Sequence, residues 1–262
     1  MSIEKEKPQP LLIKSLQFYV RNFFSLLMVT AVVFIPLALL DRFFIMKVDF
    51  NQLPRAMVEN QPIVIRGISL ALWEFMAWVV LFLFIVLILL FLFQIALFLR
   101  IETIHHNKKI DVFLLYRQAL GKLGLYLDIL LRVIGAVCAW SLLLIIPGII
   151  VGVLYSFSVL AFLFDGKQGK EALHYSREII KSNVCAFMIQ VAAMLSITLA
   201  FYALIIFVLE VVFKVHAQCA YTVSSRIGEG LQDIITIALA IYPLVFFYML
   251  YNELKQRTQS AG

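Results

Sequence analysis

The chain reads as an all-α polytopic membrane protein, a single integral domain over 1–262 with six transmembrane helices and short amphipathic interfacial helices on the cytoplasmic side. Three observations carry that reading. Hydrophobic residues make up 63% of the sequence and the mean hydropathy is +0.97, against roughly 45–50% apolar content in soluble domains. Uncharged runs cover Phe23–Leu40, Phe75–Leu99, Val133–Phe164, Val184–Leu209 and Ile234–Asn252, each long enough for the ~17–25 residues of a spanning helix. The runs are continuous rather than alternating with period two, so in lipid the backbone closes its hydrogen bonds within helices and not in a barrel.

The first run follows a stretch of mixed polarity and leads into Asp41-Arg42 without a small-residue cleavage site, so it reads as an anchor and not a removed leader. The run Val133–Phe164 is 32 residues, roughly 48 Å as a helix against a hydrocarbon core of about 30 Å. Lys and Arg counts decide whether it is one span or two, because cytoplasmic connections carry the excess. As one span it leaves 11 and 10 of these residues on the two sides; split at Pro147-Gly148 it leaves 15 and 6, both termini lying on the richer side. The split is therefore predicted, with Pro147 opening the fourth span, where its missing N–H costs nothing. The expected spans are 22–40, 69–99, 127–146, 148–164, 184–210 and 232–252. Arg132, four residues after Asp128, is placed to pair with that carboxylate.

Three segments on the basic side share a design. Leu11–Asn22, Ile110–Gly124 and Gly169–Asn183 each read as a short amphipathic helix, apolar side down in the membrane interface, leading into a span. In the first, Leu12, Leu16, Tyr19 and Val20 oppose Lys14, Gln17 and Arg21; in the third, Ala172, Leu173, Ile179 and Ile180 oppose Lys170, His174, Arg177 and Lys181. The implied architecture is three units, each an interfacial helix followed by a two-span hairpin. Ser15 to Asn22 and Ser176 to Asn183 match as an internal repeat. The segment 41–67, with Pro54 and Pro62, has room for a short surface helix.

The net charge of +6 comes from residues spread over connections, so no nucleic-acid partner is expected. Cys138, Cys185 and Cys219 form no CxxC pair and imply neither a disulfide framework nor a metal site. His105-His106 lacks a third ligand nearby, and adjacent residues do not share a helix face. No GxSxG, HExxH or P-loop pattern is present, so no catalytic residue, cofactor or metal is assigned.

What remains are polar groups in costly places. Glu74, Glu210 and Asp233 sit toward the outer ends of spans. They read either as an outer vestibule for a transported species or as residues at headgroup level, and the second fits their positions better. The stripe Lys170, His174, Arg177, Lys181 reads either as a contact for anionic lipid, at ~1 kcal/mol per basic residue, or as a solvated face paired with Glu171 and Glu178. Gly148, Gly152 and Ser156 on the fourth span, and Ala192, Ser196 and Ala200 on the fifth, repeat every four residues and are predicted to pack on each other.

The stretch "IIPGIIVGVLYSFSVLAFLFDGKQGKEALHYSREIIKSN" resembles a hallmark of the YciC-like family of bacterial inner-membrane proteins. More distantly it is similar to the membrane domain attached to some glycerophosphodiester phosphodiesterases. Pro147, Gly148, Asp165, Ala172, Ser176 and Asn183 carry the likeness, and "SLQFYVRNFFSLL" resembles the family's opening. The resemblance implies a six-helix protein of the bacterial cytoplasmic membrane without an assigned reaction. Its motifs are structural, and no hydrolytic function carries over because the soluble catalytic barrel has no room here. The expected role is a non-enzymatic membrane-organising protein that binds lipids or membrane-protein partners, with a small transporter or permease subunit as the alternative and a lipid-acting enzyme third.

Overall fold

The structure is a computed structural model that describes residues 10–45, 63–65, 68–70, 72–108, 110–216 and 221–261. The helices are α1 (Leu11–Arg21), α2 (Phe23–Ile45), α3 (Leu72–His105), α4 (Val112–Leu143), α5 (Ile145–Leu154), α6 (Ser158–Asp165), α7 (Gly169–Lys181), α8 (Val184–His216) and α9 (Tyr221–Ala261). Strands β1 (Ile63–Ile65) and β2 (Ile68–Leu70) form a small antiparallel hairpin before α3. Among the described residues five stretches are long and apolar enough to cross a membrane, Met76–His105, Val112–Leu143, Ile145–Asp165, Val184–Val208 and Ile235–Ser260; Leu11–Arg21 and Phe23–Ala38, bent by 70°, make a sixth if the pair is counted as one span. The chain is an all-α polytopic membrane protein.

The bend after α1 has a local cause. Asn22 leaves helical geometry: its side-chain amide donates to the Phe18 carbonyl at 2.8 Å, and its backbone N–H is shared between Phe18 O at 3.1 Å and Tyr19 O at 3.2 Å, the latter an acceptor that the next helical turn would have used. Asn183 repeats the arrangement after α7, donating to Ile179 O at 3.2 Å. The matched Ser15 and Ser176 are both fully buried. Asn183 also reaches Thr258 Oγ1 at 3.4 Å, tying this corner to α9.

Three hairpins follow, α2 with α3, α4 with α5, and α8 with α9. The amphipathic segment of each unit lies against the last helix of the unit before it: α7 on α6, the first half of α4 on α3, and α1 on α9, which closes the cycle. Tyr19 donates to Ala238 O at 2.8 Å and Ser15 meets the Tyr242 hydroxyl at 3.4 Å. Tyr126 donates to Gln94 Oε1 at 2.7 Å. The last helices, α3, α6 and α9, converge through Phe98, Phe164 and Tyr248 in edge-to-face contacts of 5.0 to 6.4 Å, a geometry favoured by the aromatic quadrupole.

The core occupies one end of the bundle, which we call basal. It holds Leu92–Leu99, Ile101, Leu115, Tyr126, Ile129, Phe157, Leu160–Leu163, Ile179, Ile180 and Ile241–Leu254 positions such as Phe246 and Tyr251. At the opposite end Trp73, Trp78, Phe84, Leu142–Ile146, Leu199 and Phe207 are exposed, an apolar girdle that suits lipid and not water.

Several expectations shift. The amphipathic stretch Ile110–Gly124 is no separate helix: it is continuous with span three in α4, because Gly121 and Gly124 lower helix propensity without removing a donor as proline does. The turn between spans three and four falls at Leu144, φ −160°, and Pro147 is the third residue of α5, still within the first turn where no N–H donor is required. Span four is itself broken, α5 and α6 being separated by a turn at Tyr155–Phe157. α7 does not lie apolar side down on lipid; its buried face, Ala172, Ser176, Ile179 and Ile180, packs against α4, α5, α6 and α9. On α1 the buried side is Leu11, Leu12, Ser15, Phe18 and Tyr19, while Ile13, Leu16 and Val20 face outward.

The small-residue ridges do not meet. A Cβ on Gly148 would overlap the Ser141 side chain and one on Gly152 would lie 3.6 Å from Val137 Cγ2, so this ridge faces α4. Ser156 is exposed in the turn after α5, and Ala192, Ser196 and Ala200 are exposed on α8. A two-span hairpin brings sequence neighbours together at the cost of a short turn, and that local pairing took the glycine face.

Candidate functional site

The basal end gathers the polar groups that a membrane protein keeps only where they are satisfied. Asp165 closes α6, and Gly166 follows with φ +68°, a left-handed cap suited to glycine. Tyr251 donates its hydroxyl to the Asp165 carboxylate and Lys255 forms an ion pair with it. The side chains are 15% exposed for Asp165 and 25% for Lys255, so the pair is neither a solvated surface bridge nor a dry one. Lys122 of α4 donates to Leu163 O at 3.2 Å, satisfying a carbonyl at the end of α6 with a cation where the helix dipole is negative. Asp165 thus ties the end of α6 to α9 through Tyr251 and Lys255, and Lys122 of α4 caps the same helix end.

Of this network the sequence singled out Asp165 alone. Lys122, Tyr251 and Lys255 come from two other helices, α4 and α9, and no spacing in the chain announces that they meet. Among the described residues no group of three His, Cys, Asp or Glu is placed to hold a metal ion. His105 packs its ring edge to face on Tyr248 at 5.8 Å.

Ser176 has a more specific task than the motif suggested. Its hydroxyl donates to Leu154 O at 2.8 Å and accepts from Phe157 N–H at 3.1 Å. These are the orphan acceptor and donor on the two sides of the break in span four. One hydroxyl from α7 therefore closes the break, and Phe157 is pinned by Phe187 and Tyr251, each 5.3 Å away. Nearby, Ser158 Oγ is buried without a hydrogen-bond partner, as is Gln190 Oε1 on α8.

The cationic stripe faces away from the bundle, and Lys170, His174, Arg177 and Lys181 are all exposed. His174 Nδ1 lies 3.3 Å from Glu178, and Lys167 pairs with Glu171 at 2.5 Å. The Glu171 hydrogen bond raises the Lys167 ammonium above its ordinary pKa. Burial raises the Tyr175 hydroxyl, with Asp165 adding to the effect. Lys170, Arg177 and Lys181 form no ion pair among the described residues. Lys167, Lys170, Glu171, His174, Tyr175 and Glu178 surround an open cavity of about 470 Å³. Arg132 pairs with Asp128 at 2.8 Å, as the four-residue spacing predicted.

Of the outer carboxylates, Glu74 alone has a described side chain. Glu74 lies in the first turn of α3, where a negative charge favours the helix N-terminus. The backbones of Glu210 and Asp233 belong to α8 and α9, and their side chains lie outside the described residues, as does Cys219. Cys138 and Cys185 are free and exposed. Comparison with protein-family models, with curated proteins and with solved structures gives no match.

Proposed function

We propose that the protein is a non-enzymatic organiser of the bacterial cytoplasmic membrane, of the YciC-like kind, that binds anionic lipid headgroups at its basal end with both termini on the cytoplasmic side. The observation that carries this reading is the orientation of α7. Its apolar face is consumed by the bundle, so its cationic face is held outward, beside a cavity, by Ser176 and the buried isoleucines. Three basic residues there lack an internal ion pair, and basic groups at an anionic membrane surface contribute about 1 kcal/mol each.

The test is reconstitution of the full chain into nanodiscs of phosphatidylcholine with a minor fraction of spin-labelled phosphatidylglycerol. The expected result is enrichment of the labelled lipid around the protein, reduced severalfold in a Lys170→Gln, Arg177→Gln, Lys181→Gln triple variant. Equal partition of both lipids around the unaltered protein would refute the reading.

A small transporter is the second reading. It draws on the break in span four and on the buried, partnerless oxygens of Ser158 and Gln190, since discontinuous helices mark many transport sites. Reaction of Ser158→Cys with a membrane-impermeant thiol reagent would favour it, and inertness would count against it.

A further inference from the structure

A second cavity lies at the junction between units one and two, corresponding to the junction of units two and three where α7 begins. Its walls are Arg100, Ile104, Asn107, Lys108, Ile110 and Asp111, and it opens to the surface with a volume of about 550 Å³. We infer that this cavity binds the phosphate group of an anionic lipid, with Arg100 and Lys108 as its cations. The inference deepens the proposed function by assigning it a second site.

Arg100 is built for that task. Its Nε and Nη2 donate to Ser25 Oγ at 2.9 and 2.7 Å, and its Nη1 donates to Ile110 O at 2.7 Å. A guanidinium has five N–H donors in a rigid fork, so three fix the group and two remain for a ligand. It is half-buried, yet neither it nor Lys108 forms an ion pair among the described residues. A partly desolvated guanidinium with no direct ion pair is costly; Asp111 in the same wall supplies one negative charge against two cations, and a bound phosphate would balance the remainder.

At the end of α3 the chain occupies its own acceptors. Asn107, at φ +53°, reverses the backbone, and the N–H groups of His106, Asn107 and Lys108 donate to Glu102 O, Ile104 O and Thr103 O at 2.8 to 3.0 Å. The carbonyls of Glu102, Thr103 and Ile104 are thereby satisfied and the three N–H groups are spent on them, so the donors left for a phosphate are the side chains of Arg100 and Lys108. The same turn brings Lys108 back over the cavity, whose side chains sum to one positive charge because Asp111 offsets one of the two cations.

The setting favours a lipid over a soluble anion. Ser25 is the third residue of α2, Ile104 and Ile110 give the cavity apolar walls, and Phe24 and Phe113 beside it in sequence are 79% and 78% exposed. Phosphate, glycerol and the start of an acyl chain each find matching chemistry.

The experiment titrates the full-length protein in detergent micelles with phosphatidylglycerol, phosphatidylcholine and inorganic phosphate, counting bound molecules by native mass spectrometry. Phosphatidylglycerol is expected to bind in preference to phosphatidylcholine. Arg100→Gln should weaken one phosphatidylglycerol site about tenfold, which is about 1.4 kcal/mol, and Lys108→Gln should weaken the same site about threefold. The triple variant on α7 should leave it unchanged.

Since Arg100 also holds Ser25 and Ile110, the Lys108 variant, an exposed change, decides the matter if Arg100→Gln does not fold. Wild-type phosphatidylglycerol binding by Lys108→Gln and by any folded Arg100→Gln overturns the inference. Inorganic phosphate binding as tightly as the lipid overturns the lipid assignment. Loss confined to the α7 variant removes this site and leaves the proposed function standing, whereas loss confined to the Arg100 and Lys108 variants does the opposite to the α7 face.

Discussion

Gly148→Ala is the most discriminating single change in the transmembrane region. A Cβ at Gly148 would overlap the Ser141 hydroxyl, and it would also lie 2.9 Å from Ser141 Cβ and 3.0 Å from Ser141 Cα. The hydroxyl is the tip of a side chain and can rotate away. The other two atoms cannot, because one belongs to the backbone of α4 and the other is bonded to it. The hairpin between α4 and α5 must therefore open by several tenths of an ångström, and overpacking of this kind costs about 1–3 kcal/mol.

Gly152→Ala supplies the comparison. Its Cβ would meet Val137 Cγ2 at 3.6 Å, an ordinary contact, and replacing a helical glycine gains up to about 1 kcal/mol of propensity. The two changes are chemically identical and one helical turn apart, so general effects of the substitution cancel. In a thermal unfolding assay of the detergent-solubilised protein, Gly148→Ala should melt about 2–10 °C lower, and Gly152→Ala should match or exceed the unaltered chain. A Ser141→Gly background should recover most of the loss at Gly148. Equal melting temperatures for the two alanine variants, or no rescue by Ser141→Gly, would refute the close approach of α4 and α5.

Two further changes probe the basal end. Ser176→Ala strands Leu154 O and Phe157 N–H in a site where the serine is fully buried, so unfolding in increasing SDS should begin earlier by about 1–3 kcal/mol for each group left unpaired. Lys255→Met leaves Asp165 with the Tyr251 hydroxyl as its partner among the described residues; it should destabilise by about 1–3 kcal/mol by the same assay, and adding Asp165→Asn should return much of that loss.

Membrane spans were legible because the solvent imposes them: a helix that must satisfy its backbone in lipid has to be long and free of charge, and that condition is written in consecutive residues. The split of Val133–Phe164 was legible for the same reason, through charge balance. Its position was not, since Leu144 turns the chain without being a turn residue, and Pro147 merely tolerates the first helical turn that follows. Ser176 and Asn183 stood out as motif positions, but their partners on the break and on α9 lie 19 to 75 residues away. The Asp165 network was opaque because its members come from three helices whose lateral order the hydropathy of each span does not specify. The expected ridge between spans four and five failed on the same point: small residues announce that backbones will approach, and not which backbone.

The cyclic packing gives these features a common cause. In each unit an amphipathic segment leads into a hairpin, and its apolar side finds the last helix of the preceding unit instead of lipid. Helices with apolar faces on lipid gain little by moving onto one another, whereas a segment that also carries Lys, Arg and Glu resides at the interface and has an apolar face to bury. The association is therefore strongest at the basal end, where the amphipathic segments are, and that is where the core lies. Each junction of this kind leaves a polar side turned outward next to the end of a span. At the two junctions between consecutive units that side borders a cavity with two cations, Arg100 and Lys108 at one and Lys167 and Lys170 at the other. Burying the apolar face and presenting the basic one are thus the same structural act, and the headgroup recognition we propose at the basal rim would rest on the way the three units hold together.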